Sequence, residues 1–591
     1  MGIFETVSHN VEFCVVGGGL SGLSAALAAA RHGRKTALIQ DRPMLGGNAS
    51  SEVRMWVCGA GGENLRETGI IEELELENYW RNPYKNYPIW DSVLLEAAKN
   101  EPNLQLFLNC SCLDGRMEDG RLTQITCWQL TTQQYHAFSA ALFADCSGDS
   151  ILAPITGARF RMGREGREEY GEDIAPVKAD ACTMGMSCMI QAREYPEERV
   201  FIPPSWARKI TKEDLPHRQP NLHADGENFW YMELGGMQDT IRDTETIRDE
   251  LLRVAYGMWD YLKNDPENRE KNRNFDIDWI GILPGKRESR RYIGDYVLTQ
   301  NDVRAEGRFE DLVAYGGWPM DDHHPGGFDT REEPTIFHSA PSPYGIPYRC
   351  LYSADVPNLF FAGRNISVTH TAMSSTRVMA TCSLLGQAVG TAAAIALREG
   401  ISPREVYTRG FVPELQQTLM EDDCYLPFRK RTLSRLTAAA ELVSDMADAE
   451  NLRSGVDRPV EGETNRAWGP KGCFAEYRLP EAETVASIRL VFDSDLNRET
   501  LPELEFRLNR PMRHNIRLCW EKSHMPTTVV RDFDLVYTLE DGSKLTQEVR
   551  GNHQRLVRVS CGRKVRAVRA VLLETWGSED CRLFAFDLLE K

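Results

Sequence analysis

The sequence has no excess of positive charge. Its 69 Lys and Arg stand against 87 Asp and Glu, a formal charge of −18 over 591 residues. Surfaces that hold nucleic-acid phosphates or anionic lipid need basic patches, so neither nucleic acid nor membrane is an expected partner. No apolar run is read as reaching the roughly 20 residues of a transmembrane helix. The opening MGIFETVSHNVEFCVVGGG lacks a basic stretch, an apolar core and a small-residue cleavage site, so no secretory signal is expected and a cytoplasmic location is. Ordered cysteine spacing is missing too. None of the 15 cysteines forms a C-x-x-C unit, and the close pair Cys110 and Cys112 has neither zinc nor redox spacing. No metal site is expected. There is no internal repeat and no low-complexity tract.

The length is too great for one hydrophobic core, so several domains are expected. Residues 11–40 read as a βαβ unit: VEFCVVGGG, then the Ala- and Leu-rich LSGLSAALAAARHG closed by Gly33, then KTALIQ. Strand-like runs follow over 104–146. From about 155 to 345 the texture is richer in Arg, Glu, Asp and Pro. It contains an amphipathic helix, ETIRDELLRVAYGMWDYLKN, and a strand-like NFWYMELGG. NLFFAG and a small-residue helix then restore the first texture. The expectation is an α/β fold: a Rossmann-like FAD-binding domain (1–155 and 345–400), an inserted α+β substrate domain (156–344), a helical connector (401–457) and a C-terminal β-sandwich (458–591). Short alternating runs such as ASIRLVF and CRLFAFDLLE suggest the sandwich.

The strongest local signal is Gly17-x-Gly19-x-x-Gly22, directly after an apolar strand and opening a helix. Gly17 permits the tight turn, Gly19 lets backbone approach a pyrophosphate, and Gly22 lets helix and strand pack closely. The helix N-terminus then offers free N–H groups to phosphate. The next strand ends at Gln40, with Asp41 after it, where an acid usually holds the adenosine ribose. Either residue remains a candidate for the ribose. Three features favour FAD over NAD: RPMLGGNAS, with Gly46, Gly47 and Asn48; LFADCSGD, with Gly148 and Asp149; and NLFFAGR, with Gly363 and Arg364.

These stretches resemble the bacterial FAD-dependent oxidoreductase family of the glutathione-reductase-like FAD superfamily. LGGNASSEVRMW, ETGIIEEL, NYPIWDSVLLE, PGKRESRRYIGDYVLTQND, NLFFAGRNISVTH and STRVMATCSLLGQAVGTAAA carry the resemblance over roughly residues 11–430. It implies a tightly bound FAD, a Rossmann-type domain and an inserted substrate domain, without fixing a substrate. In such folds NLFFAG returns beside the first strand, and a helix starting near Arg377 aims its positive end at the flavin. Arg54 joins Arg364 and Arg377 as a candidate flavin contact. Cys58 is a candidate for a covalent flavin link, without a partner thiol.

Dehydrogenation of an alcohol needs a base for the hydroxyl proton, and histidine suits it. His370, between the strand and the helix, is the first candidate, against a structural loop histidine. His323 and His324 sit in DDHHPGGFD, and His324 is carried as a substrate-facing candidate. In PGKRESRRYIGD, Arg287 and Arg291 are candidates for clamping a carboxylate or donating a proton. Phe229, Trp230 and Tyr231 are core or a sugar-stacking surface; Trp468, Trp520 and Trp576 are core or a binding face of the sandwich. The expected activity is oxidation of C–OH on a small polar molecule, a sugar or glycoside, with an unknown electron acceptor. The alternatives are a fumarate-reductase-like C=C reductase or desaturase and a non-catalytic, FAD-stabilised carbohydrate-binding protein. Homo-oligomer formation is left open.

Overall fold

The computed structural model describes residues 3–224, 226–502, 512 and 515–590. They form two compact units. One comprises Met1–Gly61, Lys85–Leu415 and Leu504–Glu521; the other comprises Gly62–Tyr84, Gln416–Glu503 and Lys522–Lys591.

In the first unit, β1 (Thr6–Asn10) precedes the βαβ unit formed by β2 (Phe13–Val16), α1 (Leu20–Arg31) and β3 (Thr36–Ile39). Every residue of β2 and β3 is buried, as strands covered on both faces must be. The chain then gives α2 (Ile70–Arg81) to the second unit and returns with α3 (Tyr87–Lys99) and β4 (Leu104–Phe107). Next come β5 (Cys110–Glu118), β6 (Arg121–Gln129), β7 (Gln134–Ser139) and β8 (Leu142–Asp145). β5, β6, β7 and β1 make a four-stranded sheet.

Farther along are α4 (Thr244–Asn264), β9 (Met320–His323), β10 (Leu359–Phe361), α5 (His370–Thr376) and α6 (Met379–Glu399). The central sheet is parallel, in the order β10-β8-β2-β3-β4. NLFFAG therefore does not return beside the first strand of the βαβ unit. Asp145 of β8 pairs with Val16 on one side and Phe361 on the other, so β8 holds that place. α6 packs on α1 because its small residues allow close approach: a Cβ on Gly386 would lie 1.9 Å from the carbonyl oxygen of Ser21. α6 is also long and apolar enough to cross a membrane, which the sequence reading did not anticipate, but 94% of that apolar window is buried inside the fold.

In the chain between β8 and β10, α4 buries Leu251, Val254, Met258 and Trp259 against Phe229, Met232 and Phe275. NFWYMELGG is not one continuous strand; only Glu233–Leu234 is. Phe229 adopts φ of 65°, which no extended strand tolerates. Phe229 and Tyr231 enter the core, while Trp230 stays half-buried.

The second unit is built on a seven-stranded antiparallel sheet that fits a β-sandwich-like domain. Its longest strands are β11 (Phe474–Phe492), β12 (Val530–Leu539), β13 (Leu556–Thr575) and β14 (Asp580–Leu589). Tyr477, Ile488, Phe533, Val568 and Phe586 share its core. The stretch 401–450 is helical at Pro403–Thr408, Val412–Glu421 and Arg435–Ala439, but Glu441–Ser444 is a strand paired with β11. Trp576 packs against Leu76 and Tyr79, and Trp520 belongs to the first unit, leaving Trp468 as the exposed member of the three.

Candidate functional site

A cavity of about 1030 Å³ opens within the first unit, along the carboxyl ends of β2, β3 and β8. That is where open α/β sheets bind ligands. Gly17 and Gly19 of the turn line it. Gly17 has φ of 101°, and a Cβ there would lie 2.4 Å from the Cys146 carbonyl. A Cβ on Gly22 would lie 1.8 Å from the Gly17 oxygen, so Gly22 shapes the turn from behind and does not line the cavity. No side chain caps α1 at Gly19, which leaves the N-terminal N–H groups facing the cavity.

The loop after β3 is stitched onto this turn. Gly46 N–H donates to the Gly18 carbonyl at 2.8 Å. Gln40 accepts from Gly18 N–H at 2.8 Å and donates to the Met44 carbonyl at 3.0 Å. Both ends of its amide thus hold the turn together, while Asp41 next to it keeps its carboxylate largely exposed. Gln40, Asp41, Gly46, Gly47 and Asn48 all line the cavity.

The opposite wall comes from the end of β8 and from β10. Gly148, Asp149, Gly363 and Arg364 line it. Asp149 accepts from Lys286 Nζ at 2.7 Å and Arg364 Nη2 at 2.9 Å. Burial works against its charge, but the two cations outweigh that and hold its carboxyl below the ordinary range. Arg364 Nε is buried without an acceptor among the described residues.

A second group on the wall is charged and aromatic. His323 Nδ1 lies 2.6 Å from Glu233 Oε2, and its Nε2 lies 3.3 Å from Asp321 Oδ2. Asp321 also accepts from Arg377 Nη2 at 3.0 Å. Arg287 donates to Ser187 Oγ at 3.0 Å and to the Trp230 carbonyl at 2.9 Å, and stands 3.4 Å from Glu233. Asp321, His323, Arg287, Arg377, Trp230 and Trp318 line the cavity, with Glu233 buried behind them. Burial opposes the charge of Glu233 and Asp321, yet their cationic neighbours keep both carboxyls below the usual range. Burial pushes Arg287 down.

Several sequence candidates lie elsewhere. His370 is not on the cavity wall and does not sit in a loop: it opens α5, capped by Thr369. Its Nδ1 meets Glu288 at 2.8 Å and its Nε2 meets Asp322 at 3.2 Å. Burial disfavours its cation, but the two carboxylates win and raise its pKa to about 10. A histidine so held is a buried cation and a poor base at neutral pH. Arg291 is equally enclosed, by Glu165, Glu288 and the Gly163 and Val368 carbonyls. His324 closes a turn by accepting the Gly326 N–H at 3.0 Å. Arg54 turns away from the cavity and lies over Trp279, 4.4 Å from the ring centre. Arg377 is on the wall but between two helices, since α6 starts at Met379.

His323 is the histidine on the cavity wall, and strand alternation carries the signal. In β9 the residues Asp321 and His323 share one face, while Asp322 points the other way, to His370. Glu233 has no sequence signal, because only the fold brings it to His323.

The family model described as FAD dependent oxidoreductase matches residues 12–419. No curated protein matches the chain. Among solved structures, a geranylgeranyl bacteriochlorophyll reductase-like protein from Thermoplasma acidophilum is similar over 70% of this chain and 86% of its own. It has 12% identity and a TM-score of 0.30. A family 32 carbohydrate-binding module from Streptococcus pneumoniae EndoD matches over 27% of this chain and 100% of its own, with 16% identity and a TM-score of 0.20. The cavity itself suits a flavin dinucleotide: a glycine turn with no room for side chains, an uncapped helix N-terminus, and an orphaned Arg364 donor in its wall.

Proposed function

Because the chain belongs to the FAD dependent oxidoreductase family, we propose that it oxidises a C–OH group of a small polar substrate, a sugar or glycoside, with His323 as the base. FAD, when bound, supplies the two-electron acceptor for such a reaction.

The observation that carries this reading is His323 on the cavity wall with Glu233 on its Nδ1 at 2.6 Å. A hydroxyl proton is taken at Nε2 once the substrate hydroxyl displaces the Asp321 carboxylate that stands 3.3 Å from it, and the Glu233 carboxylate orients the ring and compensates the imidazolium charge. Arg377 and Asp321, tied to each other at 3.0 Å, offer a donor and an acceptor for substrate hydroxyls. Trp230 and Trp318 supply flat apolar surface on the same wall, and the C–H face of a sugar ring stacks on such surface. Together these groups fix the substrate's orientation.

The test is anaerobic bleaching of the flavin's visible absorbance by a panel of sugars, glycosides and hydroxy acids. Bleaching by one sugar class supports the reading. Bleaching by NAD(P)H alone overturns it. One feature favours a second reading, C=C reduction: Arg287 is buried on the wall and pushed down by that burial, as a proton donor requires. Loss of turnover in Arg287→Met but not in His323→Asn selects this second reading.

A further inference from the structure

Three cysteines on β5 and β6 stand apart from both the glycine turn and the His323 group. Cys112 is the direct cross-strand partner of Cys127, and Cys110 faces Gln129 two pairs away. Opposed residues of an antiparallel pair have Cα atoms about 4.5–5.5 Å apart, inside the 4.4–6.8 Å range that a disulfide spans. Cys110, Cys112 and Cys127 fall on one face of the β5–β6 pair, since side chains alternate along a strand and opposed residues share a face. Access differs among them: Cys127 is fully buried, Cys112 is half-buried, and Cys110 and Cys112 both line the cavity. Cys110 N–H donates to the Gln40 carbonyl at 2.9 Å, which fastens the thiol strand to the end of β3 beside Asp41.

We propose that Cys112 and Cys127 form a peroxide-reactive dithiol, a modification site in the wall of the dinucleotide cavity. The oxidant is a hydroperoxide. The Cys112 thiolate attacks its terminal oxygen, giving a sulfenic acid and, from hydrogen peroxide, one water. The Cys127 thiol then attacks the Cys112 sulfur and the hydroxyl leaves as a second water, closing the S–S bond. Two thiols are oxidised by two electrons in all, and peroxide is reduced. Cys110, two residues before Cys112 on the same face of β5, is placed to exchange into the bond without any further change in oxidation state. A dithiol reductant reverses the reaction.

The second unit contains an internal comparison. Cys473 and Cys581 share the core of that unit, but both are buried, and neither lines the cavity. Access separates the two pairs, since thiolate reactivity follows exposure.

The purified flavin-loaded protein is treated with a small molar excess of hydrogen peroxide, denatured in iodoacetamide, digested and mapped by mass spectrometry. The expected result is a Cys112–Cys127 linked peptide, lighter by two hydrogens and lost on treatment with dithiothreitol. Cys473 and Cys581 remain alkylated, and Cys112→Ser yields no link to Cys127 other than through Cys110. Full alkylation of Cys112 and Cys127 in the wild-type protein after peroxide overturns the proposal, and so does oxidation of Cys473 and Cys581 at the same rate. The wild-type map decides the matter even if a variant fails to fold.

Discussion

Glu233 and His323 are 90 positions apart in the chain, yet a Glu233 carboxylate oxygen lies 2.6 Å from His323 Nδ1. A short strand, Glu233–Leu234, and the last residue of β9 bring them together. The pair has the logic of a base and its orienting acid. Removing the base is expected to lower substrate-driven flavin reduction by about 10²–10⁴-fold, the usual worth of general base catalysis. His323→Asn should show that loss in anaerobic rapid mixing while its flavin content stays at the wild-type level. A variant that reduces as fast as wild type removes His323 from the role.

His370 gives a prediction of a different kind. Its ordinary pKa is 6.5, and in the fold it rises to about 10 because Glu288 and Asp322 outweigh burial. A group raised in the folded state stabilises the fold fully below its unfolded pKa, and this contribution is lost as pH climbs through the folded value. The thermal midpoint should therefore decline from about pH 6.5 towards pH 10, with other groups adding their own slopes. His370→Gln should be less stable at neutral pH and have a flatter profile across that window. Equal slopes for the two proteins would remove His370 as the source.

Much of the dinucleotide cavity is legible in the sequence because its demands are local. Gly17, Gly19 and Gly22 are needed where strand becomes helix within six residues, and GGN at 46–48 closes onto the same turn. The charged group is less legible because its partners meet only in the fold. His370 and His323 are each flanked by small or acidic residues in sequence. Each lies between two carboxylates in the fold, and what separates them is that only His323 lines the cavity. Strand order was hidden for a similar reason: nothing in NLFFAG says that β8 already occupies the edge of β2. Gln40 and Asp41 both line the cavity where a ribose ligand would stand, and the fold adds a bond from the Gln40 amide to Gly18 and Met44 within the turn that its position alone does not show.

The glycine turn leaves no room for a methyl group. A Cβ on Gly22 would stand 1.8 Å from the Gly17 oxygen, which is backbone and cannot swing aside. Gly22→Ala must therefore push α1 off the turn and misalign its N–H groups. The variant should purify with a markedly lower flavin-to-protein ratio than wild type, read from the visible and near-ultraviolet absorbance. A full complement of flavin in Gly22→Ala would show that the turn is not the dinucleotide's phosphate cradle.

In the second unit, Arg489 is fully buried between Asp457 at 2.7 Å and Asp587 at 3.1 Å, with Arg431 also reaching both carboxylates. Burial opposes the charge on Asp457, but Arg489 and Arg431 hold its pKa at about 2. Arg489→Met leaves one arginine facing two buried carboxylates. Breaking a buried pair from one side costs about 3–5 kcal/mol, because the remaining charge is uncompensated. The depressed carboxyl contributes stability above its unfolded value of 3.8, and that stability is lost as pH falls through about 2. In the variant the loss should begin at higher pH, since Asp457 has lost its main partner. Adding Asp457→Asn to Arg489→Met should recover part of the cost by removing the stranded charge. Hydrogen exchange along β11, which carries Arg489, reports the second unit alone. Protection there should fall in the single variant and partly return in the double. If Arg489→Met leaves protection unchanged at neutral pH, the network does not support this unit.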